Sequence, residues 1–426
     1  MIEDSKHLHR VALLVSLACV LQVSESMIPH PIPGLRLGLS NMLTLTALVL
    51  LGFRYALEIT ILRVLLSSFV MGTFMSPAFL LSVSGALLST CAMGFFHRAS
   101  NLHGHHRFSI IGISIIGALT HNIVQVLVAY ALLVRHSGIF ALLPWLCIGA
   151  VVTGWFTGAA AVAICKKIEE FRNENALTPE KDVGSPPPFQ DYMPGESVLH
   201  RLSAPVKITL LLVGSLGILL GSSIWLHFSL FSVLLAAIVI SGSSPVYFLR
   251  KVKRYALVVV AAFLLPVLFN SGSDTLWPSD YVAVTREGLA VGGRFAARIL
   301  FMLLSGALMA RTTSPETLTA GVGKLLIPLR YVGLSDRRLA MILSLSWAAF
   351  PFFWQTARDA IRAADLKQAK GLRGLVPLLS NVIAALYLAT GPESPYWAAS
   401  RQNHSGYTEE EPEGTDRNHP KSIKRQ

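Results

Sequence analysis

Apolar runs dominate the first part of the chain, at about residues 10–28, 38–52, 55–72, 78–96, 108–134 and 140–165. Each is long enough, or nearly so, to cross a hydrocarbon core as a helix. The polar connections alternate in charge. Lys6 and Arg10 precede the first run, Arg54 separates the second from the third, Arg98 and Arg107 separate the fourth from the fifth, and Lys166, Lys167 and Arg172 follow the sixth. The intervening connections hold only Arg36 and Arg135. Lys and Arg collect on the cytoplasmic side, so the pattern predicts a six-helix unit with both ends in the cytoplasm. The first run continues to Met27 without a small-residue cleavage signal, and reads as a retained span.

Residues 171–200 break the pattern with mixed charge, Pro and Gly, as in N-E-N-A-L-T-P-E-K-D-V-G-S-P-P-P. They read as a linker. Apolar runs resume at about 207–222, 224–242, 255–270 and 295–310. Arg250, Lys251, Lys253 and Arg254 mark a cytoplasmic turn, and Asp274, Trp277 and Asp280 mark the opposite side. From about Thr312 to Gly371 the chain becomes basic and amphipathic, too polar for lipid. Thr313 and Glu316 have capping-box spacing around Pro315, and Ser335 is a candidate N-cap for the next helix. Arg358 and Arg362 share a helix face beside the small residues Ala360, Ala364 and Ala369. That surface suits a solvated helix or the close approach of a partner. The tail from Arg401 lacks apolar anchors and reads as disordered.

Composition fixes the class as all-α and polytopic. The 426 residues are 53% hydrophobic and 14% charged, against about 25% charged in soluble domains. The net charge of +12 follows from the positive-inside bias, and no aromatic–basic platform accompanies it, so nucleic acid is not an expected partner. Cys19, Cys91, Cys147 and Cys165 lie in or beside apolar runs without zinc or disulfide spacing. His97, His103, His105 and His106 cluster without a fixed helical spacing, and no metal site is expected.

No phosphate loop G-x-x-x-x-G-K-[ST], D-D-x-x-D cluster, G-x-S-x-G elbow or H-E-x-x-H motif occurs. An enzyme is therefore not expected, and no cofactor is expected in this chain. The polar residues inside the spans carry more information, because lipid penalises unpaired polar groups. His121 and Gln125 are one turn apart, with Asn122 adjacent. Arg63 sits mid-span, with Glu58 nearby but off its face, and must meet an anion, carbonyls, another helix or a wet cavity. Arg36 and Asn41 flank the proline-stiffened P-H-P-I-P-G-L-R-L-G-L-S-N. These positions form either a solute cavity or interhelical hydrogen bonds that hold the bundle.

The stretches P-I-P-G-L-R-L-G-L-S-N-M, L-R-V-L-L-S-S-F-V-M-G-T-F, F-L-L-S-V-S-G-A-L-L-S and I-G-I-S-I-I-G-A-L-T-H-N-I-V-Q resemble the Gx family of energy-coupling-factor S components. Members of that family are often named heptaprenyl diphosphate synthase component I. The resemblance implies a six-helix S fold over residues 1–168. It also implies a small-solute site, at positions matching Gly34, Arg36, Gly38, Asn41, Arg63, Gly72, Ser84, Gly85, His121, Asn122 and Gln125. Further stretches, L-H-R-L-S-A-P-V-K, A-R-I-L, T-T-S-P-E-T-L, I-P-L-R-Y-V-G-L and A-A-D-L-K-Q-A-K-G, resemble the T component of the same transporters over residues 201–395, after a linker at 169–200. T components dock on paired ABC ATPases through Ala-Arg-Gly motifs. Ala369-Lys370-Gly371 matches the first with Lys for Arg, and Ala389-Thr390-Gly391 stands near the second without a basic residue. Lys keeps the charge but not the guanidinium fork.

The resemblance implies an S–T fusion in the bacterial cytoplasmic membrane. It would bind a small solute at Arg36, Asn41, Arg63, His121, Asn122 and Gln125, and engage ATPase subunits through Arg358, Arg362, Ala369, Lys370 and Gly371. ATP would be hydrolysed by those partners. The alternative is a membrane accessory subunit of a polyprenyl diphosphate synthase.

Overall fold

The computed structural model describes residues 2–26, 37–102, 108–134, 137–173, 192–221, 223–269, 274–277, 284–325 and 336–363. The first half contributes α1 (Ile2–Ser26), α2 (Leu39–Leu50), α3 (Phe53–Met71), α4 (Pro77–Leu102), α5 (Ile110–Val128) and α6 (Leu143–Asn173). A π-helical turn, Ala129–Val134, and a 3-10 turn, Ser137–Leu142, join the last two. The second half contributes α7 (Val198–Arg201), α8 (Ala204–Leu220), α9 (Ile224–Ile240), α10 (Pro245–Arg254), α11 (Ala256–Phe269), α12 (Arg286–Thr312), α13 (Pro315–Leu325) and α14 (Asp336–Ala363). A two-stranded antiparallel ribbon, β1 (Thr275–Trp277) and β2 (Val284–Thr285), links α11 to α12.

Among the described residues, four helical stretches suit a bilayer crossing by length and composition: Pro77–Ser100, Ile110–Leu132, Ser137–Glu169 and Arg286–Thr312. Leu39–Leu50, Ala204–Leu220 and Ile224–Ile240 are apolar but shorter. Ile224, Trp225, Phe228, Val239 and Leu257 are 69–82% exposed, large apolar side chains turned outward as lipid-facing positions are.

Helix α1 is apolar almost all round and correspondingly sheathed: Val11 through Val20 are all buried. It packs on α2, α3 and α14. The α5–α6 crossing is set by Gly154 and Gly158, a G-x-x-x-G pair. A Cβ at these positions would lie 2.7 Å from Ile115 Cα and 2.8 Å from Ile111 Cα, so only glycine permits this approach.

Two family-motif cations of the second half are buried and spend their hydrogen bonds on helix ends. Arg298 Nε donates to Ile218 O at 3.0 Å and Nη2 to Gly221 O at 3.3 Å, capping α8. Lys207 Nζ donates to Thr312 O at 2.8 Å and Thr313 Oγ1 at 3.2 Å, closing α12. Cations at helix C-termini complement the orphan carbonyls there. The cap expected at Thr313 falls one residue later: Ser314 Oγ accepts from Thr317 N at 3.3 Å, with Pro315 opening α13. Thr313 is taken by Lys207 instead. The candidate cap Ser335 lies outside the described residues.

The halves share one core. In α14, Leu339, Ile342, Leu343, Ser346, Ala349, Phe350 and Phe353 form a buried stripe at helical spacing. That stripe lies on α1, where Ser346 Oγ donates to Ala12 O at 2.8 Å. The sequence presents this helix as solvated or partner-facing; much of its surface is instead buried against the chain's own first helix. The seam continues at Gly306 of α12, where a Cβ would come within 2.7 Å of Phe74 O. Backbone cannot retreat as a flexible side chain can. Gly306→Leu is expected to part α12 from the 72–76 turn and lower the melting temperature by several degrees, while Gly293→Leu, where a Cβ meets nothing within 4 Å, changes it little. Equal effects of the two substitutions would exclude a tight seam.

Candidate functional site

A cavity of ≈ 880 Å³ opens between α1, the start of α2, α3, α5 and α6 on one side and α10 on the other. Arg63, only 3% exposed, is part of its lining. Arg63 Nη1 donates to Gln22 Oε1 at 3.0 Å and Ser40 Oγ at 2.7 Å, and Nη2 to Asn41 Oδ1 at 2.6 Å. One guanidinium thereby ties α1, α2 and α3 together beside the cavity, through the neutral acceptors of three side chains.

The entrance to α2 is equally specific. Gly38 adopts φ 77°, a left-handed conformation that L side chains rarely take. It presents two successive amides to Glu25: Gly38 N donates to Oε1 at 2.8 Å and Leu39 N to Oε2 at 3.1 Å. A buried carboxylate at a helix N-terminus satisfies orphan N–H groups and complements the dipole. Glu25 is thus engaged in holding Asn41 and Ser40 in place.

His121 and Asn122 complete the wall from α5. Asn122 Nδ2 donates to Leu146 O at 2.8 Å, so this residue both lines the cavity and ties α5 to α6. Gln125 is half-buried and is not part of the wall. It packs with His121 against Gly85 of α4, where a Cβ would lie 3.0 Å from the His121 ring and 3.1 Å from Gln125 Cγ.

Other expected positions fall elsewhere. Gly34, Arg36, Ala369, Lys370, Gly371 and Ala389–Gly391 lie outside the described residues, as do His103, His105, His106 and the tail. Arg358 is exposed on α14, and Arg362 lies in its last turn. Glu58, off the Arg63 face, is fully buried with Arg54 Nε at 3.7 Å and Arg338 Nε of α14 at 3.6 Å. Sequence reasoning missed Gln22 and Glu25, although two polar residues one turn apart at the end of an apolar run are a legible signal. It also missed Tyr247, Arg250, Lys251 and Arg254 of α10, which line the cavity from the second half.

Comparison with known proteins separates the same two halves. The family model described as heptaprenyl diphosphate synthase component I matches residues 14–164, and the cobalt transport protein model matches residues 195–395. The second half is similar to the energy-coupling factor transporter transmembrane protein EcfT of Listeria innocua, 27% identical over 197 residues, covering 44% of this chain and 74% of that protein. The Clostridium kluyveri protein of the same name is also 27% identical over 197 residues, covering 44% and 73%. The chain is an S–T fusion of the energy-coupling-factor transporter type. This fusion is a multi-pass membrane protein and, like its transport relatives, a non-enzymatic subunit. Its S half carries most of the cavity, and its T half supplies α10 and the α14 stripe against α1.

Proposed function

We propose that this fusion is the membrane subunit of an ATP-driven importer. In this reading the S half binds a small solute in the Arg63 cavity, and the T half transmits movement from separate ATPase subunits that dock around Arg358, Arg362 and Ala369-Lys370-Gly371. The observation that carries the reading is the cavity itself: a buried guanidinium held by Gln22, Ser40 and Asn41, beside Asn122 and His121, in a wall shared with the T half. A merely structural arginine needs no space of this size beside it.

Coupling would proceed by tilting of the S half against the T half, with the N-terminus cytoplasmic. Charge bias assigns α10 and α14 to the cytoplasmic side, and the same bias assigns Gly38, Asn41 and the 72–76 turn of the S half to the outer side. Their meeting across one cavity, together with Gly306 against Phe74 O, fits an S half tipped inward. ATP-driven movement of α14 would bias this state through its stripe on α1.

Purification from the native host, with mass spectrometry of partners and bound small molecules, tests the reading. Co-purified ATPases and a solute are expected. Lys370→Glu should release the ATPases and leave the solute in place, since a buried charge pair lost at an interface costs about 2–5 kcal/mol. Unchanged ATPase recovery would move docking elsewhere. A second reading rests on the description of the N-terminal family, component I of a prenyl diphosphate synthase. Recovery of a soluble prenyl synthase in place of ATPases would establish it.

A further inference from the structure

We infer that the solute carries an anionic group, and that helix α10 of the T half forms a cationic wall that receives it; this deepens the proposed solute reading and rests on it. Tyr247, Arg250, Lys251 and Arg254 stand at i, i+3, i+4 and i+7, one face of α10, and all four line the cavity. Lys253, on another face, does not. The helix is held from behind by Phe248, which is buried in the T-half core with Leu219, Leu234 and Phe301. The Tyr247 ring lies under Arg311 at 4.8 Å and Lys251 at 5.6 Å, which adds a further cation to the same region.

The charge of the lining is lopsided. Among the described residues, its acidic and basic side chains are Glu25, Arg63, Arg250, Lys251 and Arg254. Glu25, the one carboxylate among the described lining residues, has both oxygens engaged by the Gly38 and Leu39 amides, so it is held at a helix N-terminus and is outnumbered four to one by cations. Four cations then face one space with low-dielectric walls. Such a space concentrates anions and repels cations. Ser40, whose Oγ accepts from Arg63, and Thr73 bring hydroxyl protons to the lining, which suits an anion with several lone pairs; Ser67, Ser68 and Thr157 donate theirs to backbone carbonyls. Among the described lining residues Arg63 comes from the S half, and Arg250, Lys251 and Arg254 come from the T half, so the cationic wall is completed where the S half meets α10.

The test reads charge directly, without a known solute. Ala78 lines the cavity and is exposed. In the full chain carrying Ala78→Cys, in nanodiscs of phosphatidylcholine, peptide-resolved mass spectrometry follows modification by an anionic and a cationic methanethiosulfonate, each rate divided by that for a neutral free thiol. The anionic reagent is expected to be favoured about tenfold or more. Arg250→Gln with Arg254→Gln should reduce that preference at least about fivefold. Both side chains are exposed, so folding is preserved, and an unchanged melting temperature checks it. Lys253→Gln should leave the preference intact.

Inorganic phosphate should slow the anionic reagent in a saturable way, which supports a free anionic solute. Slowing only when phosphatidylglycerol is included supports the same site filled by a lipid headgroup. Equal normalised rates for the two reagents, or a preference that survives loss of Arg250 and Arg254, overturn the proposal. Recovery of a neutral or cationic solute whose retention depends on Arg63 would also overturn it while leaving the solute cavity standing. An anionic preference without any retained solute would keep the charged wall and remove the transport reading.

Discussion

Arg63→Met is expected to reduce retention of the co-purified solute by about 100-fold or more, equivalent to about 2.7 kcal/mol. The guanidinium is buried and holds Gln22, Ser40 and Asn41 at 2.6–3.0 Å. Its removal deletes a charge from the cavity and leaves three polar side chains to find other partners, each at a cost of about 1–3 kcal/mol. The same change will lower stability, so a fall in folded yield alone decides nothing. Asn41→Ala separates the roles, because it deletes one acceptor from the edge of the network and leaves the charge. If Arg63→Met and Asn41→Ala both lower folded yield while the surviving protein retains solute normally, Arg63 is bundle glue. Equilibrium dialysis on the monodisperse fraction makes that distinction.

Glu58→Ala is expected to destabilise the fusion by about 3–5 kcal/mol, through loss of a buried ionic contact across the two halves. Glu58 is fully buried in α3. Its partners differ: Arg54 is 58% exposed, whereas Arg338 of α14 is 17% exposed. Solvent screens the first, so the cross-half partner carries most of the effect. Arg338 also lies over the Tyr55 ring at 5.4 Å, which keeps it at the seam when the carboxylate is gone. A double-mutant cycle with Arg338→Met reads the coupling. The double variant should be less destabilised than the two single changes combined, since removing both partners leaves no uncompensated buried charge. Strict additivity would show that the two side chains do not interact. Solute retention should survive all three variants, because neither residue lines the cavity.

The sequence by itself determined that the chain is a helical membrane protein in two halves. Apolar runs, the alternating charge of their connections, and the proline at a helix start such as Pro315 act locally, so their consequences are visible without a partner. The meeting of His121 and Asn122 with Arg63 and Asn41 at one cavity could be anticipated, because polar groups at membrane depth must find each other. Only the tertiary structure decided which partners they find. An amphipathic stripe such as Leu339 to Phe353 states that a face is buried and leaves open what buries it. Here the answer is α1 of the same chain, more than three hundred residues away in sequence. The basic run from Arg250 to Arg254 likewise read as a topological marker. Its role as a cavity wall depends on how the S half sits against the T half, a long-range pairing that no local period encodes.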